Sequence, residues 1–186
     1  MSARGKLVQA AVPLLVGALI GFIVGYFAGG GQRPSVSAAS DGDEARDSAG
    51  DRFREIRKAI DRDPENPKLW TELGNAYYDS ENWDRAIDSY EKARRRAPSD
   101  PNLLSDLGAA YRNRGEFKRA ISLFEKARAA DPDHWQSLLN VVVCEAYDVR
   151  DGAAARRHFQ ELRRRYPDIP DLDRIEKQIS DLKPAS

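Results

Sequence analysis

Metal ligation and nucleophilic catalysis need convergent His, Cys, Asp or Glu side chains, and this chain has few to offer. Its two histidines, His134 and His158, stand 24 residues apart, and Cys144 is its only cysteine. One thiol and two imidazoles cannot fill a tetrahedral zinc site from Cys and His alone. A single thiol also excludes an intramolecular disulfide and a covalent haem motif. The acids Asp61, Asp63, Glu65, Asp131 and Asp133 cluster beside prolines, where they read as caps and loop residues. No nucleophile–base pair, phosphate loop or paired-acid motif appears at diagnostic spacing. The residues therefore predict a non-enzymatic protein with no cofactor and no metal. Cys144 reads as a buried, inert thiol, with an intermolecular disulfide as the alternative.

Charge narrows the partners. The chain has 186 residues with 30 basic and 30 acidic side chains, a formal net charge of zero. A nucleic-acid binder would need a net basic face to displace counterions, so no nucleic-acid partner is expected. Two runs, Arg94 to Arg96 and Arg163 to Arg165, fall where helices end. Cations there complement the helix dipole and solvate an outer face; contact with anionic lipid or a partner is the competing reading.

The charge is unevenly spread. Arg4 and Lys6 are the only charged residues among the first 32, and Leu7 to Ala28 carries none. As a helix, about 22 apolar residues span about 33 Å, enough for a hydrocarbon core of about 30 Å. Residues 7–28 thus read as a transmembrane anchor following a cytoplasmic tail of residues 1–6. A cleaved signal peptide is the competing reading, with the small residues Ser35 to Ser40 near its cleavage site. The basic residues before the span place the amino terminus in the cytoplasm. The remainder would lie in the extracytoplasmic space, the periplasm in a diderm bacterium. Gly17, Gly21, Gly25 and Gly29 fall at every fourth position. That stripe lets a second helix approach closely, in self-association or in docking to another membrane helix. The competing reading is the general abundance of glycine in membrane helices. Residues 29–50, rich in Gly, Ser, Ala and Asp, are predicted to be a flexible linker.

The rest of the chain is organised by repetition. Trp70, Leu73, Gly74, Tyr77, Ala86, Tyr90, Ala93 and Pro98 return 34 residues later as Leu104, Leu107, Gly108, Tyr111, Ala120, Phe124, Ala127 and Pro132. Trp70, Leu73 and Tyr77 share one helix face. Asn66-Pro67 and Asp100-Pro101 each place a capping side chain before a proline at the first helical position. Gly74 and Gly108, facing Ala86 and Ala120, sit where the two helices of a unit must approach closely.

The strings W-x-x-L-G-x-x-Y at Trp70 to Tyr77, A-x-x-x-Y at Ala86 and Tyr90, and then Pro98 resemble the tetratricopeptide repeat. The resemblance implies an all-α, helix-turn-helix superhelical array preceded by the single membrane helix. Units fall at residues 67–100 and 101–134, and a degenerate third at 135–168 has Val142 in the glycine position and Glu145 in the tyrosine position. Ala155, Phe159, Leu162 and Pro167 return one residue late, which implies an insertion near Asp148 to Gly152. Residues 51–66 resemble a lone second helix capping the start. Residues 169–186 carry the stripe Leu172, Ile175, Ile179 and Leu182 of a terminal capping helix.

The resemblance also implies a site. In such arrays the first helices of the units line a concave groove through their second, fifth, ninth, twelfth and thirteenth positions. Carried over, these are Lys68, Thr71, Asn75, Tyr78 and Asp79; then Asn102, Ser105, Ala109, Arg112 and Asn113; then Gln136, Leu139, Val143, Ala146 and Tyr147. Amides, hydroxyls and single charges suit an extended peptide or a partner helix. A family member that grips a peptide's terminal carboxylate uses two asparagines and several basic residues. Asn75 fits that pattern, but Thr71, Ser105, Ala109, Gln136 and Asn140 stand where most of the other clamp residues would be.

The expected function is a membrane-anchored scaffold that holds a protein or peptide partner in the extracytoplasmic space. Two alternatives remain. One is a cytochrome c maturation subunit holding apocytochrome, similar in architecture alone. The other is an oligomerisation module whose working part is the glycine-striped helix.

Overall fold

The computed structural model describes residues 41–181, with side chains from residue 50 onward, and among them all regular structure is helical. The apolar segment 7–28, its glycines Gly17, Gly21, Gly25 and Gly29, and the linker up to residue 40 lie outside the described residues. Among the described residues no helix is long and apolar enough to cross a membrane.

Helix α1 spans Asp41–Arg62 and corrects the linker reading for residues 41–50, which are helical. Glu44, Ala45, Arg46 and Ala49 are residue types with fair helix propensity. The later turns supply the nucleus from which those weaker turns propagate. Ile56 and Ile60 are buried there, Phe53 packs against the same core, and the Phe53 ring lies 4.8 Å from that of Tyr77.

Two helix pairs follow. Helices α2 (Pro67–Asp79) and α3 (Trp83–Arg94) form the first, α4 (Pro101–Asn113) and α5 (Phe117–Ala130) the second. Each first helix starts as its sequence predicts. Asn66 Oδ1 accepts the Lys68 N–H at 3.1 Å, and Asp100 Oδ1 accepts those of Asn102 and Leu103 at 3.0 and 3.2 Å. The turn inside the second pair uses Gly115 at φ 85°, and the equivalent turn in the first uses Glu81 at φ 57°. The left-handed backbone belongs to the turn geometry, and only one copy has the residue that adopts it freely.

Small residues set the spacing within each pair. A side-chain carbon on Gly108 would lie 2.6 Å from Phe124 Cε1, and one on Gly74 would collide with the Tyr90 ring. The glycines thus face the aromatic rings of the second helices rather than Ala86 and Ala120, the partners expected from the sequence, which are fully buried. Leu104 fills the tryptophan position of the second unit as a buried core residue. Trp70 is only partly buried, donating from Nε1 to the Pro64 carbonyl at 2.8 Å beneath the Lys92 ammonium.

The third unit departs from the others. Helix α6 (Trp135–Val143) runs into a π-helical turn over Cys144–Val149, and helix α7 occupies Gly152–Arg165. A π turn has one more residue than an α turn, so the inserted residue is absorbed inside the first helix rather than in the loop after it. The Asp151 N–H closes this turn on the Glu145 carbonyl at 2.8 Å, and Arg150 takes φ 62°. Helix α8 (Leu172–Ser180) buries Leu172, Ile175 and Ile179, a last apolar stripe that caps the array.

Candidate functional site

Helices α2, α4 and α6 lie side by side, and their predicted site residues are linked by polar rungs. Asn113 Nδ2 donates to the Tyr78 hydroxyl at 2.8 Å. Asn140 Nδ2 donates to Ser105 Oγ at 3.3 Å. His134 Nε2 meets Asn102 Oδ1 at 3.1 Å, and Arg112 is paired with Asp148 on the π turn. Inside the first unit, the Tyr90 hydroxyl donates to Asn75 Oδ1 at 2.7 Å. The 34-residue period that stacks the helices also brings side chains about one period apart into register.

His134 serves this ladder. Donation from Nε2 to Asn102 leaves Nδ1 to accept from the Ser137 hydroxyl, 2.8 Å away, so the neutral ring satisfies both partners. Burial lowers its pKa and favours that neutral state. His158 is committed elsewhere, with Nδ1 2.7 Å from Glu145 Oε2. Among the described residues no group of three His, Cys, Asp or Glu side chains is arranged to hold a metal.

The predicted residues do not all share an open surface. Lys68, Asp79, Asn102 and Asn113 are exposed, and Asp79 accepts from Arg52 Nη1 at 3.1 Å. Thr71, Asn75, Tyr78, Ala109, Arg112 and Gln136 are half-buried. Tyr78 stacks edge-on against Trp83, with ring centroids 5.0 Å apart. Ser105, Leu139, Val143 and Ala146 are buried. Their place in the groove is corrected by packing: three of them are apolar, and Ser105 is covered by its rung to Asn140. Tyr147 donates to Gln178 Oε1 of α8 at 3.2 Å, which ties it to the cap. The accessible part of the face is therefore carried mainly by α2 and α4.

One residue of that face escapes the sequence reading. Asp106 stands on the α4 stripe Asn102, Asp106, Ala109 and Asn113, four residues from the first and three from the third. It is half-buried, and among the described residues it has no hydrogen-bond or ion-pair partner. Burial, reinforced by the charge of Asp100, pushes its carboxyl up to about 7. Burial, with a smaller contribution from the Asp106 charge, raises the Tyr78 and Tyr90 hydroxyls. Its one sequence signal is helical spacing, which the family positions pass over.

The arginine runs are largely tied down. Arg94 pairs with Glu91, Arg96 with Glu65 at 2.6 Å, Arg163 with Asp173 at 2.7 Å, and Arg165 with Asp133 at 3.2 Å. Cys144 is fully buried, and desolvation pushes its thiol up to about 12. A thiol so placed is unreactive at neutral pH.

Comparison with known proteins places this geometry. Residues 65–133 match the tetratricopeptide repeat model. Among curated proteins none matches the chain in sequence. Among solved structures, the chain resembles the first TPR domain of Spaghetti (RPAP3) bound to the HSP90 peptide SRMEEVD. Identity is 21% and the TM-score 0.58, over 63% of this chain and 93% of that one. It also resembles the TPR2B domain of yeast Sti1 in complex with pHsp70, at 20% identity and TM-score 0.58, over 63% and 98%. MamA aligns at 18% identity and TM-score 0.64, over 78% and 82%.

Proposed function

We propose that this chain, which carries tetratricopeptide repeats over residues 65–133, is a non-enzymatic scaffold that holds an extended segment of a partner protein along α2 and α4. The observation that carries the reading is the row of interlocked polar side chains, Asn75, Tyr78, Asn102 and Asn113. They are fixed in place by their rungs, so a partner that binds there need not order them first. The two structural relatives with a bound peptide or partner use the same fold and lend the reading support by analogy. The apolar segment 7–28 would anchor the scaffold, with its amino terminus in the cytoplasm and the repeats on the extracytoplasmic side of the inner membrane.

Site-specific photo-crosslinking tests this in the native host. A benzophenone side chain at Ala109, on the face, is expected to give a discrete adduct with a partner protein. The same probe at the exposed Lys126 of α5 is expected to give none. Equal adduct patterns at the two positions, or an adduct at Lys126 alone, would contradict a binding role for this face.

A further inference from the structure

We infer that Asp106 is the subsite for a lysine or arginine side chain of the bound segment, an inference that rests on the peptide-holding reading above. Around it several polar groups of the face are already spoken for. Asn75 is held by Tyr90, Tyr78 by Asn113, and Asn102 by His134. The charges beside it are also neutralised, Asp79 by Arg52 and Arg112 by Asp148. The Asp106 carboxyl has no such partner among the described residues, and neither do the exposed Lys68 ammonium and the Gln136 amide; Asp106 is the acidic group among the three. It lies at the middle of the accessible face, half-buried, without a hydrogen-bond or ion-pair partner among the described residues.

The chemistry of the occupant follows from that isolation. A half-buried carboxyl group with no counter-charge beside it is disfavoured as an anion, and a cation delivered to it relieves the penalty. A neutral side chain gains little there, and an anion is repelled. The bound peptide of one structural relative, SRMEEVD, ends in an acidic stretch, EEVD, after a single arginine. An acidic tail of that kind would bring like charge onto Asp106. A basic side chain on an extended backbone is complementary in sign. It also reaches a recessed group, because its aliphatic stem packs along the half-buried walls while its head pairs with the carboxylate.

The test is selection of a random dodecapeptide display library on the full-length chain in mild detergent, in parallel with Asp106→Asn and Lys126→Ala variants. The wild-type chain and the outer-face variant are expected to enrich peptides with Lys or Arg at one fixed position. A charge-assisted contact of this kind is worth about tenfold in affinity. Asp106→Asn is expected to keep binding peptides while losing that preference, and its melting temperature checks that it is folded. The same basic preference from Asp106→Asn, or no basic preference from the wild type, would overturn the subsite while leaving peptide binding intact. Failure of the wild type to enrich any sequence would overturn the peptide-holding reading, and the subsite with it.

Discussion

Gly108→Val is expected to destabilise the array by about 3 kcal/mol or more, as measured by urea unfolding followed by far-ultraviolet circular dichroism. The first carbon of any side chain at this position meets Phe124 Cε1 at 2.6 Å and Cδ1 at 2.8 Å. Phe124 is fully buried, so its ring cannot swing aside without moving α5 against α4. Two opposing effects must be weighed. Replacing a helical glycine gains about 0.5–1 kcal/mol of propensity, less for a β-branched residue than for alanine. Overpacking costs about 1–3 kcal/mol for one or two methylenes, and more when the obstacle is rigid. Packing wins. Gly50→Ala isolates the propensity effect, since nothing lies within 4 Å of the added carbon on α1. It is expected to be neutral or stabilising by up to about 1 kcal/mol. Equal effects at the two positions would remove close helix approach as the reason for the repeated glycine.

The second large effect is electrostatic and carries a sign. The Asp106 carboxyl is raised to about 7 in the folded chain from an ordinary 3.8. The folded state therefore holds this proton more tightly than the unfolded state at any pH between those values. Its contribution is most favourable below about pH 4 and is lost as pH rises through about 7. The full shift would correspond to about 4 kcal/mol. Discounted for a group that still reaches solvent, about 2 kcal/mol is the expected scale. Asp106→Asn is thus expected to be more stable than the wild type by about 2 kcal/mol at pH 8, the advantage shrinking toward zero near pH 4. Asp100, Asp79, Tyr78, Tyr90 and His134 face Asp106 from the elements around it and are common to both proteins. His134, lowered by burial, contributes stability that is present above its unfolded pKa and is lost as pH falls. The difference between the two pH curves isolates Asp106. A difference independent of pH would refute the buried carboxyl.

A feature of this chain is legible in its sequence to the extent that its cause is local. The helix starts at Pro67 and Pro101 follow from a cap and a proline within two residues, and Asn66 and Asp100 make the predicted bonds. That Gly74 and Gly108 mark where two helices touch follows from repetition, but the partners there are the Tyr90 and Phe124 rings and not the expected Ala86 and Ala120. The amino-terminal turns of α1 are hidden because Gly, Ser and Asp in residues 41–50 argue individually against helix. The packed turns after Phe53 outweigh them. The third motif slips near Asp148 to Gly152, which is where its spacing puts the insertion. Only the backbone shows that the extra residue is taken up earlier, from Cys144, by widening one helical turn. Leu139 and Val143 fall on the groove by position number, yet their apolar character already points to the interior where they lie. Asp106 lacks any local mark. Its interest arises from what does not pair with it, a property of three helices together.

A crystal structure of the full-length chain with one of the selected basic peptides would decide whether this face holds a partner and how. It is expected to show an extended peptide lying across α2 and α4, with a lysine or arginine nitrogen about 3 Å from an Asp106 carboxylate oxygen. A peptide seated on α3, α5 or α7, or one lying on the expected face with its basic side chains turned to solvent, would contradict it.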